Sequence, residues 1–315
     1  MVQVDLITGF LGSGKTTFMR HYARYMVQQG WNVCILENDF GAVNVDVMLL
    51  QDILGDHCDM ESISGGCDCD THQRRMRTKL ISLAMQGFDR VIIEPSGIFD
   101  VDEFFDVLRD EPLDHWYEIG NVIAVVNAGL EETLSDQAEF LLASEVADAG
   151  SIILSRSQEV PVTKQDATIE HLNRSLVKLG CRRQIKGDEV LRSPWNEWTE
   201  REFEQVLNGG YCTESYRKPE YREDQGFQSL YYMNLQIKKE ELKEKMKEAL
   251  KDPACGKLFR IKGFMQDENE KWIELNATQY EIQMNPVGEG QNVLIVIGEG
   301  LEEDALAKYF GTPAR

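Results

Sequence analysis

Gly9-Phe10-Leu11-Gly12-Ser13-Gly14-Lys15-Thr16-Thr17 is the stretch that decides how this 315-residue chain is read. A glycine, four residues and then Gly-Lys-Thr is the spacing of a phosphate-binding loop. Val2 to Thr8 ahead of it is apolar enough for a buried strand, and Thr16 to Gln29 behind it reads as a helix. Strand, glycine loop and helix in that order aim backbone N–H groups and a helix amino end at one anion. Gly12, Ser13, Gly14, Lys15, Thr16 and Thr17 therefore form the predicted phosphate cradle. The glycines allow close backbone approach, Lys15 neutralises the terminal phosphates, and the Thr16 hydroxyl is a Mg²⁺ ligand.

Outward from the loop, Asn32 to Leu36 reads as a second strand that delivers Glu37-Asn38-Asp39-Phe40-Gly41 to its carboxyl end. In parallel α/β sheets the ligand-contacting groups gather beyond the strand ends, which places Asp39 toward the Mg²⁺. Asp89 to Ile93 is a third short apolar run, and it brings Glu94-Pro95-Ser96-Gly97 to the same edge. Glu94 is placed to hold the Mg²⁺ shell through a water, and the Gly97 N–H to meet a γ-phosphate. Lys15, Asp39 and Glu94 are the catalytic candidates. Glu37, Asp39 and Glu94 are candidates to activate water by location alone, so slow intrinsic turnover is expected.

Further strands are read at 121–126 and 151–154, and helices at 71–85, 101–108, 131–146, 164–179 and 197–207. The segment 43–60 is mixed, with no element assigned. Alternation of this kind implies an α/β domain, a mostly parallel sheet covered by helices on both faces. Residues 1–207 are read as the nucleotide-binding domain and 208–226, polar and opened by Asn208-Gly209-Gly210, as a linker. Residues 227–315 read as a small α+β domain, with strands at 230–237, 258–264, 272–275, 280–284 and 292–297 and helices at 239–250 and 302–309.

Acidic residues outnumber basic ones 54 to 33, a formal charge of −21, which argues against nucleic acid or an anionic membrane as partner. No apolar run approaches ~18 residues and the start lacks a signal-peptide layout, so the expected location is the cytoplasm. The seven cysteines are expected to be reduced, and only Cys67 and Cys69 form a local pair. Two thiolates at i and i+2 after Gly65-Gly66 can turn toward one ion, which suits Zn²⁺. Asp70 or His72 is the third-ligand candidate, with His21, His57, His115 or an acidic loop as fourth. Two thiols that bind nothing are the alternative.

Taken together, Thr8 to Thr17, Asn38-Asp39-Phe40-Gly41 and Glu94-Pro95-Ser96-Gly97 resemble the phosphate loop, switch segment and Glu-x-x-Gly motif of the CobW-type P-loop GTPases. These are relatives of the nickel-insertion GTPases for urease and hydrogenase. Gly66-Cys67-Asp68-Cys69-Asp70 sits where that family carries Gly-Cys-x-Cys-Cys, and Arg260-Ile261-Lys262-Gly263 with Val296-Ile297-Gly298 is similar to its C-terminal domain. The resemblance implies a GTP-hydrolysing metallochaperone that uses Mg²⁺, carries zinc, cobalt or a related ion, and serves a metal-dependent client protein. Three positions depart from the pattern: Asp70 replaces the third cysteine, Ser155-Arg156-Ser157-Gln158 replaces Asn-Lys-x-Asp, and no histidine-rich stretch occurs among only five histidines. Gln158 carries no charge for a guanine edge, while Arg156 can still stack on a base, so GTP and ATP both stay open. A small-molecule NTP-dependent enzyme, such as a kinase or cobalamin-pathway activity, and a nucleotide-gated regulator without cargo are the competing readings. A homodimer is left open.

Overall fold

The computed structural model describes residues 1–39, 50, 52–64, 69–95, 101–217, 227–279, 281–288 and 290–314. The chain divides into two compact units, the first running through the described residues up to 217 and the second beginning at 227.

The first unit is a seven-stranded sheet made of β1 (Val2–Thr8), β2 (Val33–Asp39), β3 (Cys58–Ser64), β4 (Arg90–Pro95), β5 (Tyr117–Asn127), β6 (Ser151–Ser155) and β7 (Val190–Leu191). Its spatial order is β3-β2-β4-β1-β5-β6-β7, and every pairing is parallel. β1 lies between β4 and β5 and is covered on both faces, so Val4, Leu6 and Ile7 are all buried and its buried polar residue Asp5 has to be paired inside the sheet. The helices are α1 (Lys15–Gln28), α2 (Cys69–Ala84), α3 (Val101–Arg109), α4 (Leu113–Trp116), α5 (Asp136–Ala147), α6 (Val162–Lys178) and α7 (Glu200–Leu207). Phe18, Met19, Tyr22 and Met26 of α1 with Phe203 and Val206 of α7 fill one face. Leu80 of α2, Phe104 of α3, Leu142 and Val146 of α5 and Leu172 of α6 fill the other.

Two helices start later than their apolar periodicity suggests, because side-chain caps set their ends. The Ser135 hydroxyl accepts from the Ala138 N–H at the start of α5, and Thr199 with Glu202 forms a capping box at α7. α2 starts earlier than expected, so the backbone of Cys69 and Asp70 lies in a helical first turn rather than in a loop. The segment 43–60, where no element is read from the sequence, holds the start of β3, which runs on to Ser64. The linker reading also fails for 208–217. The Val122 N–H donates to the Gly210 carbonyl, the Cys212 N–H to Asp148 and the Arg217 N–H to Leu179, so backbone bonds hold this stretch to the first unit. Residues 218–226 of that reading lie outside the described ones.

The second unit is a five-stranded antiparallel sheet of β8 (Phe227–Met233), β9 (Lys257–Gln266), β10 (Trp272–Ala277), β11 (Ile282–Pro286) and β12 (Val293–Glu299), in the order β11-β10-β9-β12-β8. Leu242 and Met246 of α8 (Lys239–Ala249) and Leu306 and Phe310 of α9 (Glu303–Phe310) cover one face of it. Among the described residues no helix is long and apolar enough to cross a membrane.

Candidate functional site

The loop from β1 to α1 owes its path to glycine. At Gly9 φ is 145° and a Cβ would lie 2.2 Å from the Val125 carbonyl oxygen of β5. At Gly14, the N-cap of α1, φ is 99°, a left-handed conformation that costs other residues energy. Lys15 is only 7% exposed, and its Nζ folds back to donate to the Gly9 carbonyl at 2.7 Å. The ammonium is thus held over the loop. The buried Ser13 Oγ, 2.8 Å from where a Gly9 Cβ would sit, has no hydrogen-bond partner among the described residues, an orphaned donor within the phosphate loop itself.

Because β4 neighbours β1, its carboxyl end reaches the start of α1, and the Thr16 hydroxyl donates to Glu94 Oε1 at 3.0 Å. Across the β2–β4 ladder, Glu37 is in register with Glu94, and both carboxylates are buried. The sequence names these residues without revealing that they are neighbours. A hydroxyl and carboxylates brought together at the mouth of a phosphate loop form an oxygen donor set that fits a hard cation such as Mg²⁺. Asp39 closes β2, but its side chain lies outside the described residues, as does Gly97 altogether.

On the other side of the loop, Ser155 ends β6 and bonds the Val126 carbonyl at 3.3 Å. Arg156 has φ of 54°, and the Gln165 amide donates to the Ser157 carbonyl at 2.9 Å, which fixes the turn. Gln158 is exposed in that turn, and the buried Ser157 Oγ has no hydrogen-bond partner among the described residues. Trp195, in the turn after β7, reaches to 3.3 Å from where a Gly14 Cβ would sit and packs edge-on against Phe18. Sequence reasoning missed Trp195, since a two-residue strand leaves no periodic trace.

Glu145 was also missed. It lies on α5, is 2% exposed, and its carboxyl is pushed up to about 8 by burial, with the Lys15 charge pulling the other way. Its Oε2 has no hydrogen-bond partner among the described residues. The folded chain therefore keeps a proton that the unfolded chain releases above the ordinary carboxylate range. Stability present at acid pH is lost as pH rises toward 8. Glu145→Gln is expected to raise Tm at pH 7.5, by on the order of 5 °C, and to give no gain at pH 4.5. Melting curves at the two pH values check this.

For the thiol site, Cys67 and the side chains of Cys69, Asp70 and His72 lie outside the described residues. Two of the fourth-ligand candidates, His57 and His115, lie at the far end of the sheet. His57 precedes β3 and His115 precedes β5, at strand amino ends, whereas Cys69 follows the carboxyl end of β3. His57 Nδ1 is hydrogen-bonded to Asn32, and His21 lies on α1 beside Arg20 and Arg24. Among the described residues no group of three potential ligands clusters. Cys34, Cys58, Cys181, Cys212 and Cys255 are free thiols. Burial pushes the Cys58 thiol up to about 11 and Cys34 higher still, which keeps both protonated and inert.

A parallel sheet whose central strand feeds a glycine loop, a buried lysine over that loop and a threonine bonded to a neighbouring strand's glutamate define a nucleotide-binding domain of the P-loop class. Residues 3–185 match the CobW/HypB/UreG nucleotide-binding domain and residues 234–312 the cobalamin synthesis protein CobW C-terminal domain. The chain belongs to the CobW/HypB/UreG family. It is 31% identical over 196 residues to the zinc chaperone YjiA of Escherichia coli (strain K12), covering 58% of this chain and 56% of that protein. With the zinc chaperone YeiR of the same organism it shares 30% over 171 residues, 53% of this chain and 50% of that one. The chain spans about half the length of these curated relatives in the matched regions. A solved structure of Zn(II)-bound YjiA GTPase from E. coli aligns over 98% of both chains at 21% identity with a TM-score of 0.36, a likeness too loose for comparing geometry.

Proposed function

We propose that this chain is a GTP-binding metallochaperone that hydrolyses GTP slowly and couples nucleotide state to zinc held at Cys67 and Cys69, for delivery to a metal-dependent client. The observation that carries the reading is the pairing of Thr16 with Glu94 beside the glycine loop. It is supported by membership of the CobW/HypB/UreG family and by relatives named as zinc chaperones, which favour zinc over cobalt.

In this reading Lys15 leaves the Gly9 carbonyl for phosphate oxygens, and the loop amides with Ser13 hold the β- and γ-phosphates. Thr16 and Glu94, with Asp39, would hold Mg²⁺, which supplies charge neutralisation at the terminal phosphates when bound. Glu37, in register with Glu94, joins Asp39 and Glu94 as a candidate to orient the attacking water. Gly97 is the proposed γ-phosphate sensor. Ser155 and Arg156 with Gln158 and Trp195 flank the base. The uncharged, exposed Gln158 favours acceptance of ATP beside GTP.

Cys67 lies in sequence between β3 and α2 and Cys69 opens α2, and the Asp39 and Gly97 loops follow the two strands next in the sheet. Elements that order around the γ-phosphate are thus positioned to tighten or loosen a thiolate pair. Asp70 or His72 completes the proposed zinc set. Zinc affinity is expected to be at least ~10-fold higher with a non-hydrolysable GTP analogue than with GDP, a coupling of ordinary size. Competition against a chromogenic chelator measures it; equal affinities would overturn the coupling, and loss of zinc binding in Cys67→Ser assigns the site.

A further inference from the structure

Four of the six residues from Arg74 to Lys79 are basic, the densest positive run in a chain whose formal charge is −21. They lie on α2, and no acidic residue occurs between Thr71 and Phe88. A cleft of about 590 Å³ opens between this helix and β3, lined by Arg74, Arg75 and Lys79 together with Ser62, Thr78 and Ser82. The buried Ile63 also contributes to its wall, and among the described residues no carboxylate does. Lys79 is held at 2.8 Å by Glu61, and the Arg74 and Arg75 side chains reach solvent. Arg74 also borders a second cleft of about 650 Å³ toward α3, where Arg77 is paired with Asp110 and Arg109 lies over Phe105.

Two features decide what fits the first cleft. Arg74, Thr78 and Ser82 recur every four residues, so the positive and hydroxyl-bearing wall runs ~12 Å along the helix, longer than one carboxylate or phosphate and close to four residues of extended chain. β3 is an edge strand, paired among the described residues with β2 alone, and an edge offers main-chain donors and acceptors to an added strand. We propose that this cleft is a docking surface for an extended, carboxylate-rich segment of a partner protein, with Arg74 and Arg75 as its principal charge contacts. The proposal deepens the client-binding part of the reading above, and it places that segment against the helix that begins at Cys69.

The test uses the full chain without nucleotide or added zinc, so its failure leaves the GTP and zinc measurements standing. A fluorescein-labelled peptide of twelve residues alternating Glu and Val is titrated by anisotropy at low salt, beside peptides alternating Gln and Val or Lys and Val. Only the acidic peptide is expected to bind, and more weakly as salt rises. Arg74→Glu with Arg75→Glu is expected to weaken it by ~10-fold or more, the paired glutamine variant by less, and Arg182→Glu, a reversal elsewhere on the unit, by under ~2-fold. Melting curves confirm that the variants stay folded. Equal uptake of the glutamine peptide, or unchanged binding by both double variants, overturns the proposal. So does stronger binding of a twelve-nucleotide RNA lost in the same variants, which would make the cleft a phosphate-backbone site.

Discussion

Lys15→Ala is expected to weaken triphosphate binding by ~100-fold or more while leaving the melting temperature nearly unchanged, because a charge-assisted hydrogen bond in a partly desolvated loop is lost and no core contact goes with it. The Nζ sits 2.7 Å from the Gly9 carbonyl, on a loop whose backbone is already fixed by glycine conformations that do not depend on the lysine. The ammonium therefore exchanges the Gly9 carbonyl for phosphate oxygens when phosphates enter, and removing it affects the bound state far more than the free one. Glu145 gives a second readout: without the Lys15 charge its carboxyl loses the one influence that pulls it down, so it stays protonated to higher pH. Calorimetric titration with GTP and Mg²⁺ measures the affinity, and undiminished binding would remove the phosphate-loop reading at its root.

What the sequence discloses depends on whether a feature is carried by local spacing or by neighbours distant along the chain. The phosphate loop is covalently compact, and β1, β2, β4 and β6 are buried enough to stand out as apolar runs. β3 does not, because Asp59 and Glu61 break its apolar pattern on an edge strand that needs less burial. The register of Glu37 with Glu94 requires β2 and β4 to be adjacent, and no local pattern shows that the chain skips β3 to make that pair. Glu145 sits between Ser144 and Val146 on a helix that also carries Glu139, so it reads as an ordinary surface acid. Only the packing of α5 against the sheet shows it to be enclosed. Residues 208–217 look like linker for a related reason: glycine there permits close approach rather than freedom. A Cβ on Gly150 would meet the Gly210 carbonyl at 2.2 Å, and one on Gly209 would meet Ser151 Oγ at the same distance.

Asp5→Ala is expected to be the most destabilising single change in the first unit. Asp5 is fully buried in β1 and accepts from Arg90 Nη1 at 2.6 and 2.8 Å, from the Asn121 backbone and side chain at 2.8 and 3.0 Å, and from the Tyr22 hydroxyl at 2.9 Å. One carboxylate thus ties β1 to β4, β5 and α1, and the burial around it holds the Tyr22 phenol well above its ordinary range. Arg90, also stacked over Trp31, would be left with a buried charge and no carboxylate. Breaking such a pair costs about 3–5 kcal/mol, or roughly a 10 °C fall in Tm for a unit of this size. The loss comes from the orphaned guanidinium rather than from any large net value of the pair. Asp5→Leu combined with Arg90→Met is therefore expected to recover most of the melting temperature lost by Asp5→Ala, and Asp5→Asn, which keeps the hydrogen-bond acceptor without the charge, to fall between. A double variant no more stable than Asp5→Ala alone would mean that the bonds to Asn121 and Tyr22, and not the ion pair, hold the lower end of the sheet.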